Sequence, residues 1–330
     1  MRAVPYLIAE IGVNHDGSVE RAATMISGAA AAGFDAVKLQ HWVTDELLAP
    51  ATPAARYQGG GSQAEVLDGL VLDGARLAAL SEHAHNIGID FIITADGVLA
   101  LQEVLLVRVD ALKIGSGDAD NPLLLRAARA TGLPLIVSLG MTDDDTVPVI
   151  VDLLDGVEQL TFLHCVSAYP TAVSEARLGR ISWLRGVTGR PVGFSDHTIG
   201  HSAACAATAL GAVTIEKHVT WSTSARGPDH PMSLDLADAA AWVREVRDVA
   251  AGMDAATNVA EEDANKTVVR KALYARRALR MGAHVEADDV MLLRPLADGI
   301  PALHVVHVVG REVARDLDEG SIVRWSDLRG

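Results

Sequence analysis

The chain has 330 residues, 49% hydrophobic and 22% charged, a composition that supports one large or two ordinary domains with real cores. Lys+Arg number 28 and Asp+Glu 43, so the net charge is −15, which argues against nucleic acid or an anionic membrane as partner but leaves room for a locally basic pocket and an anionic substrate. Only two cysteines occur, Cys165 and Cys205, which makes a disulfide framework a poor reading and favours a reducing compartment.

Residues 1–12 carry Glu10 inside their apolar run and make a poor signal peptide, and no run reaches the length of a membrane span, so a soluble, cytoplasmic protein is expected. Eight short runs rich in Val, Ile and Leu follow one another: 6–12, 36–40, 90–95, 111–116, 134–140, 160–166, 192–197 and 213–219. Each is too short for a helix and reads as a strand buried on both faces. Alanine-rich helical stretches lie between them, at 18–32, 74–88, 122–132, 146–156, 174–189, 202–211 and 236–252. In the first, Ser18 caps the start, Glu20 sits in the first turn and Gly33 stops the helix.

Eight strand–helix alternations predict a (β/α)₈ TIM barrel over residues 1–252; a doubly wound open sheet also alternates, and the count of eight favours closure. The connection from 41 to 72, with Arg56, Tyr57, Gln58 and Gly59-Gly60-Gly61, is long enough to read as a lid over the barrel mouth. Residues 253–270 are polar and acidic and read as a linker. Residues 271–330, with turn signals at Met281-Gly282, Asp288-Asp289, Asp298-Gly299 and Glu319-Gly320, read as a small, mostly β domain that leans on the barrel or on another subunit.

Barrel enzymes carry their chemistry at the C-terminal ends of the strands. Here those ends hold Glu10 with Asn14-His15, then Lys38 and Gln40, Thr94, Lys113 and Ser116, Ser138, His164 with Ser167 and Tyr169, Ser195-Asp196-His197, and Glu216-Lys217-His218. Buried polar groups need partners, and eight strands ending alike are hard to explain by structure alone. Lys38 and Lys113 with Thr94, Ser116, Ser138 and Ser195 suit a small phosphorylated acid. His197 and His218, on neighbouring strands, can share one divalent metal, and Glu216 lies on the same strand face as His218. Asp143-Asp144-Asp145 looks like a metal cluster but precedes a helix, so it reads as N-terminal capping. His83, His85, His304 and His307 are weak candidates.

These blocks, taken in order, resemble the sialic acid synthase family. The resemblance rests on Ala9-Glu10-Ile11-Gly12-Val13-Asn14-His15-Asp16-Gly17, Lys38-Leu39-Gln40, Lys113-Ile114-Gly115-Ser116-Gly117-Asp118, Ser138-Leu139-Gly140-Met141 and His164-Cys165-Val166-Ser167-Ala168-Tyr169-Pro170. It continues through Gly193-Phe194-Ser195-Asp196-His197-Thr198-Ile199-Gly200, Glu216-Lys217-His218 and Gly227-Pro228-Asp229-His230. The last 60 residues, with Arg294-Pro295 and Gly299-Ile300, resemble the family's antifreeze-like (SAF) domain. The resemblance implies condensation of phosphoenolpyruvate with an open-chain N-acetylated amino sugar, giving phosphate and a nine-carbon 2-keto acid. It implies manganese or magnesium on His197 and His218. Phosphoenolpyruvate would be bound by Lys38, Thr94, Lys113, Ser116, Ser138, Ser167 and Ser195. Gln40, Tyr169, Asp229 and Arg294 would hold the acceptor, with Glu10 and Glu216 in catalytic roles. It further implies a domain-swapped homodimer in which Arg294 reaches the partner's site. The chain departs from the family pattern at Thr94-Ala95-Asp96-Gly97, at Ser167 and at Thr220-Trp221-Ser222-Thr223, and several of the departures are at acceptor-side positions. Two other readings remain open: the same chemistry on a different aldehyde or a sugar nucleotide, and a non-catalytic carbohydrate- or ice-binding protein.

Overall fold

The computed structural model describes residues 4–49, 63–253 and 259–330. The chain divides into two compact units, Met1–Asp254 and Ala255–Gly330.

The first unit is a closed barrel. Strands β1 (Tyr6–Gly12), β2 (Ala36–Trp42), β3 (Asp90–Asp96), β4 (Ala111–Ile114), β5 (Leu135–Ser138), β6 (Leu160–Cys165), β7 (Val192–Asp196) and β8 (Thr214–Thr220) pair in sequence order, all parallel. β1 also pairs with β8, with Ile8 beside Glu216 and Glu10 beside His218, which closes the barrel and settles the choice against an open sheet. A two-residue strand, β9 (Leu234–Asp235), adds to the end of β8.

The helices on the outside follow the capping chemistry of the sequence. In α1 (Val19–Ala32) Ser18 Oγ accepts from the Arg21 amide at 3.2 Å, and Gly33 closes the helix at φ 92°. Beyond β2 come α2 (Thr44–Leu47) and α3 (Gln63–Asp68), so the connection read as one long lid contains two short helices; Arg56 to Gly61 fall outside the described residues. There follow α4 (Gly74–Asn86) capped by Asp73, α5 (Val98–Val104), α6 (Pro122–Ala130) capped by Asn121, α7 (Val147–Leu153), α8 (Gly179–Thr188), α9 (Ser202–Ala209) and α10 (Leu236–Gly252) capped by Asp235. The capping reading of Asp143-Asp144-Asp145 fails. α7 begins later, after Thr146, with no side-chain cap, and Asp144 instead takes an ion pair from Arg180 at 2.6 Å. Residues 174–178, read as part of a helix, hold a 3₁₀ turn ahead of α8.

Strand residues alternate between two faces, and this explains the layering of the barrel. The outward set, including Leu7, Ile11, Leu39, Phe91, Ile93 and Phe162, packs under the helices in one core. The inward set is split by height. Ile8, Ala36, Ile92, Ala111, Ile136 and Leu163 form a separate apolar plug in the lumen. Two residues later on the same strands come Glu10, Lys38, Thr94, Lys113, Ser138 and Cys165. Gly193 makes the plug possible, because a Cβ there would lie 2.6 Å from Leu163 Cδ2 and 2.4 Å from the Thr214 carbonyl oxygen. No helix among the described residues is long and apolar enough to cross a membrane.

The second unit opens with α11 (Ala260–Val269), so the acidic stretch read as a linker contains a helix. Strands β10 (Ala272–Ala275) and β11 (Val290–Leu293) pair antiparallel, followed by the short α12 (Val305–Val308), around a core of Leu273, Leu279, Val285, Ile300, Val313, Leu317 and Val323. Its chain repeats itself. Arg277 Nε pairs with buried Asp289 at 2.5 Å, whose other oxygen accepts from the Glu286 amide; Arg315 Nε pairs with buried Asp327 at 2.6 Å, whose other oxygen accepts from the Arg324 amide. The two halves meet where Leu279 bridges Leu317.

Candidate active site

A cavity of about 510 Å³ opens at the C-terminal ends of the strands. Its floor is the inward layer just above the apolar plug. Lys38 Nζ donates to Thr94 Oγ1 at 2.7 Å and lies 2.7 Å from Glu10 Oε2, while Gln40 Nε2 donates to Glu10 Oε1 at 2.7 Å. The Lys38–Glu10 contact is a close ion pair whose angle leaves Oε2 without a well-formed hydrogen bond. Glu216 stands between the two lysines, 3.9 Å from Lys38 and 3.9 Å from Lys113, and accepts from Ser195 Oγ at 2.7 Å. Apart from that contact with Glu216, among the described residues Lys113 Nζ makes one hydrogen bond, at 3.3 Å to the Ile114 carbonyl.

These environments drive the two glutamates apart. Burial pushes the Glu10 carboxyl up, against the pull of Lys38. Burial would raise Glu216 too, but the Lys113 and Lys38 charges and the Ser195 hydroxyl hold it down at about 2. Burial also lowers the Lys113 ammonium.

Ser116, Ser138 and Ser167 complete the hydroxyl wall with the Cys165 thiol, and Ser116 Oγ lies 3.1 Å from Cys165 Sγ. Gly140 allows this crowding. A Cβ there would sit 2.6 Å from Cys165 Sγ, 2.6 Å from Ser167 Oγ and 2.8 Å from Ser116 Oγ.

On the opposite side the His197 and His218 rings are 5.7 Å apart, with Tyr169 4.3 Å from His197. His197 Nδ1 is 2.7 Å from the Val166 carbonyl, an acceptor only, so this nitrogen carries the proton and Nε2 keeps a lone pair. His218 Nδ1 is buried with no hydrogen-bond partner, 3.7 Å from Asp229 Oδ2. Burial lowers both imidazoles, His218 far below the usual range, with His197 adding to the effect. Two neutral rings with an orphaned nitrogen and a nearby carboxylate are a donor set that fits a divalent cation. Among the described residues no group of three such donors stands ready-made.

Every barrel residue singled out from sequence for catalysis, phosphoenolpyruvate, acceptor or metal lines this one cavity. Arg294 lies in the second unit, exposed, just after β11. Five of the strand-end residues do not line the cavity: Asn14, His15, His164, Asp196 and Lys217. His164 Nε2 bonds the Ala176 carbonyl at 2.8 Å and stacks on Phe194, and Lys217 pairs with Asp196 at 3.0 Å, buried outside the lumen.

Sequence reasoning gave no role to a network behind Asp229. His230, fully buried, bonds Asp16 Oδ1 at 3.0 Å and Thr220 Oγ1 at 2.7 Å. Asn14 Nδ2 donates to the Val219 carbonyl at 2.8 Å and to Ser233 Oγ at 2.9 Å, and Ser233 Oγ donates to the Asp229 carbonyl at 2.6 Å. The turn after β1 thus holds the loop after β8, and with it Asp229, over the mouth. The signal was present, since Asp16 and His230 both sit inside motif blocks.

Comparison with known proteins fits this geometry. The NeuB family matches residues 25–258 and the SAF domain residues 270–329. The N,N'-diacetyllegionaminic acid synthase of Legionella pneumophila is 32% identical over 98% of this chain and 94% of its own. The N-acetylneuraminate-9-phosphate synthase of Drosophila melanogaster is 30% identical over 95% and 93%. The crystal structure of a sialic acid synthetase from Leptospira borgpetersenii, in complex with citrate, superposes with a TM-score of 0.71 at 28% identity, covering 79% of this chain and 90% of that one. The chain therefore belongs to the NeuB family of acid synthases, an enzyme with a C-terminal SAF domain.

Proposed function

We propose that this enzyme condenses phosphoenolpyruvate with an open-chain N-acetylated amino sugar, releasing phosphate and forming a nonulosonic 2-keto acid. The observation that carries the reading is the floor of the cavity. Two buried lysines meet five hydroxyls there, and Lys113 has few partners of its own among the described residues. Such a floor accepts the oxygens of a small phosphorylated acid. The relatives' names point to the same class of product.

In the reaction, carbon 3 of the enolpyruvate attacks the aldehyde carbon, water adds at carbon 2, and C–O cleavage expels phosphate. Lys38, Lys113, Thr94, Ser116, Ser138, Ser167 and Ser195 hold the phosphoenolpyruvate. Glu10, its carboxyl raised by burial against the pull of Lys38, faces the cavity and is placed to serve the developing alkoxide. Glu216, its carboxyl held down by Lys113, Lys38 and Ser195, stands between both lysines and fixes them and Ser195. Gln40, Tyr169 and Asp229 face the acceptor. His197 and His218 would hold manganese or magnesium, which supplies Lewis-acid polarisation of the aldehyde when bound. Arg294 serves the acceptor in a second copy of the chain, which makes the active form a homodimer.

The test is phosphate release from phosphoenolpyruvate with Mn²⁺ and a panel of N-acetylated hexosamines, with the product mass measured. Release with an N-acetylated sugar and a nine-carbon keto acid as product supports the proposal. Silence with all of these sugars, while another aldehyde works, overturns it.

A further inference from the structure

Asp96 ends β3, on the same inward column as Ile92 and Thr94. Thr94 is bound to Lys38 on the floor, so Asp96 stands one pleat higher, about 7 Å nearer the mouth. It is half-buried in the cavity wall, and beside it is Gly115, where even a Cβ would come within 3.6 Å of Asp96 Oδ1. Among the described residues the Asp96 side chain makes no hydrogen bond and no ion pair. The other inward carboxylates differ: Glu10 is held by Lys38 and Gln40, and Glu216 by Ser195. Among the described residues neither Lys38, which is held by Glu10 and Thr94, nor Lys113 forms an ion pair with Asp96.

A carboxylate with unused lone pairs on a cavity wall recognises hydrogen-bond donors and repels anions. It is therefore unsuited to the phosphorylated acid on the floor and faces the second substrate. Its two oxygens match a polyhydroxylated chain that offers hydroxyl or amide N–H donors on neighbouring carbons.

We infer that Asp96 is a specificity-determining residue for the acceptor, taking hydrogen bonds from hydroxyl or amide N–H groups of the sugar aldehyde one layer above the phosphoenolpyruvate floor. This rests on the function proposed above. Burial, with Asp118 adding to it, raises the Asp96 carboxyl to about 6, and the donors of a bound sugar would favour its charged form.

The experiment uses the full chain with Mn²⁺, phosphoenolpyruvate, the panel sugar that the wild type turns over fastest, and that sugar's monodeoxy analogues. Asp96→Asn and Asp96→Leu should raise the acceptor KM about 10- to 100-fold while the phosphoenolpyruvate KM stays within about 2-fold. At least one monodeoxy analogue should be penalised about 10-fold or more by the wild type and hardly at all by either variant, a coupling that a merely structural residue would not produce. Unchanged acceptor KM, a rise confined to phosphoenolpyruvate, or equal penalties for every analogue in wild type and variants would overturn the assignment of Asp96 alone. No turnover of any panel sugar by the wild type would overturn the function reading, and this inference with it.

Discussion

Glu10 in the barrel and Asp327 in the second unit are both fully buried carboxylates, yet their surroundings differ in kind. Asp327 is closed off: one oxygen takes Arg315 Nε at 2.6 Å and the other takes the Arg324 amide at 2.9 Å. Asp289 repeats the arrangement in the other half of that unit. The groups at the barrel mouth are left incomplete. Among the described residues Lys113 has one weak hydrogen bond beside its contact with Glu216, the Asp96 side chain has no hydrogen-bond partner, and His218 Nδ1 is orphaned. Buried polarity alone does not mark a site; unused hydrogen-bonding capacity facing a cavity does.

This contrast can be broken by substitution, and the largest effect should come from the cavity floor. Lys113→Met should lower phosphate release by about 1000-fold or more, because an oriented cation on the reacting anion is lost. Its melting temperature should fall only modestly, since removing a desolvated ammonium offsets part of the loss of one of the two charges beside Glu216. Parallel kinetics and calorimetry check both halves, and a large fall in stability would count against the reading of Lys113 as a ligand-facing group. Asp327→Ala should do the reverse, destabilising the second unit by about 3 kcal/mol in urea unfolding, because Arg315 and the Arg324 amide lose their partner.

The network behind Asp229 lies between these extremes. His230→Ala should reduce kcat/KM for the acceptor about 10- to 100-fold while phosphoenolpyruvate binding, measured by calorimetry, stays near the wild-type value. Equal loss of both substrates would mean that His230 supports the whole barrel rather than the loop.

The smallest effect concerns pH. The folded protein holds the Asp96 carboxyl at about 6, above its ordinary 3.8, so between those values it binds more protons than the unfolded chain. Stability from this group therefore falls as pH rises through that window and is flat above it. Asp96→Asn lacks the term, so it should gain on the wild type by about 1 kcal/mol between pH 4 and pH 7, after discounting for partial exposure. A constant difference across that range in thermal melts would refute the assignment.

The strand-end ring was readable in the sequence because two local rules sufficed. Inward residues recur every second position, and barrel chemistry sits at the C-terminal ends of strands. Those rules placed Lys38, Lys113, Ser138, Ser195 and Glu216 in one cavity. They failed for His164, where the same alternation sends the side chain outward to the Ala176 carbonyl. They also failed for Asp143-Asp144-Asp145, since a run of acids ahead of a helix does not say which residue begins it, and Asp144 is taken by Arg180 instead.

The net charge of −15 shows the same division. Residues 271–330 hold equal numbers of acidic and basic residues, so the excess belongs to the first 270. Local sequence determined the eight strands, the Ser18 and Gly33 ends of the first helix and the residue types at the strand ends, because propensity, capping and alternation act over a few residues. Only the tertiary structure decided which of those charges are spent on one another. It brought Asp16 to His230 across 214 residues, set Glu216 between two lysines, and left Asp96 alone on the wall. Desolvation and pairing depend on neighbours that closure of the barrel supplies, and no local pattern encodes them.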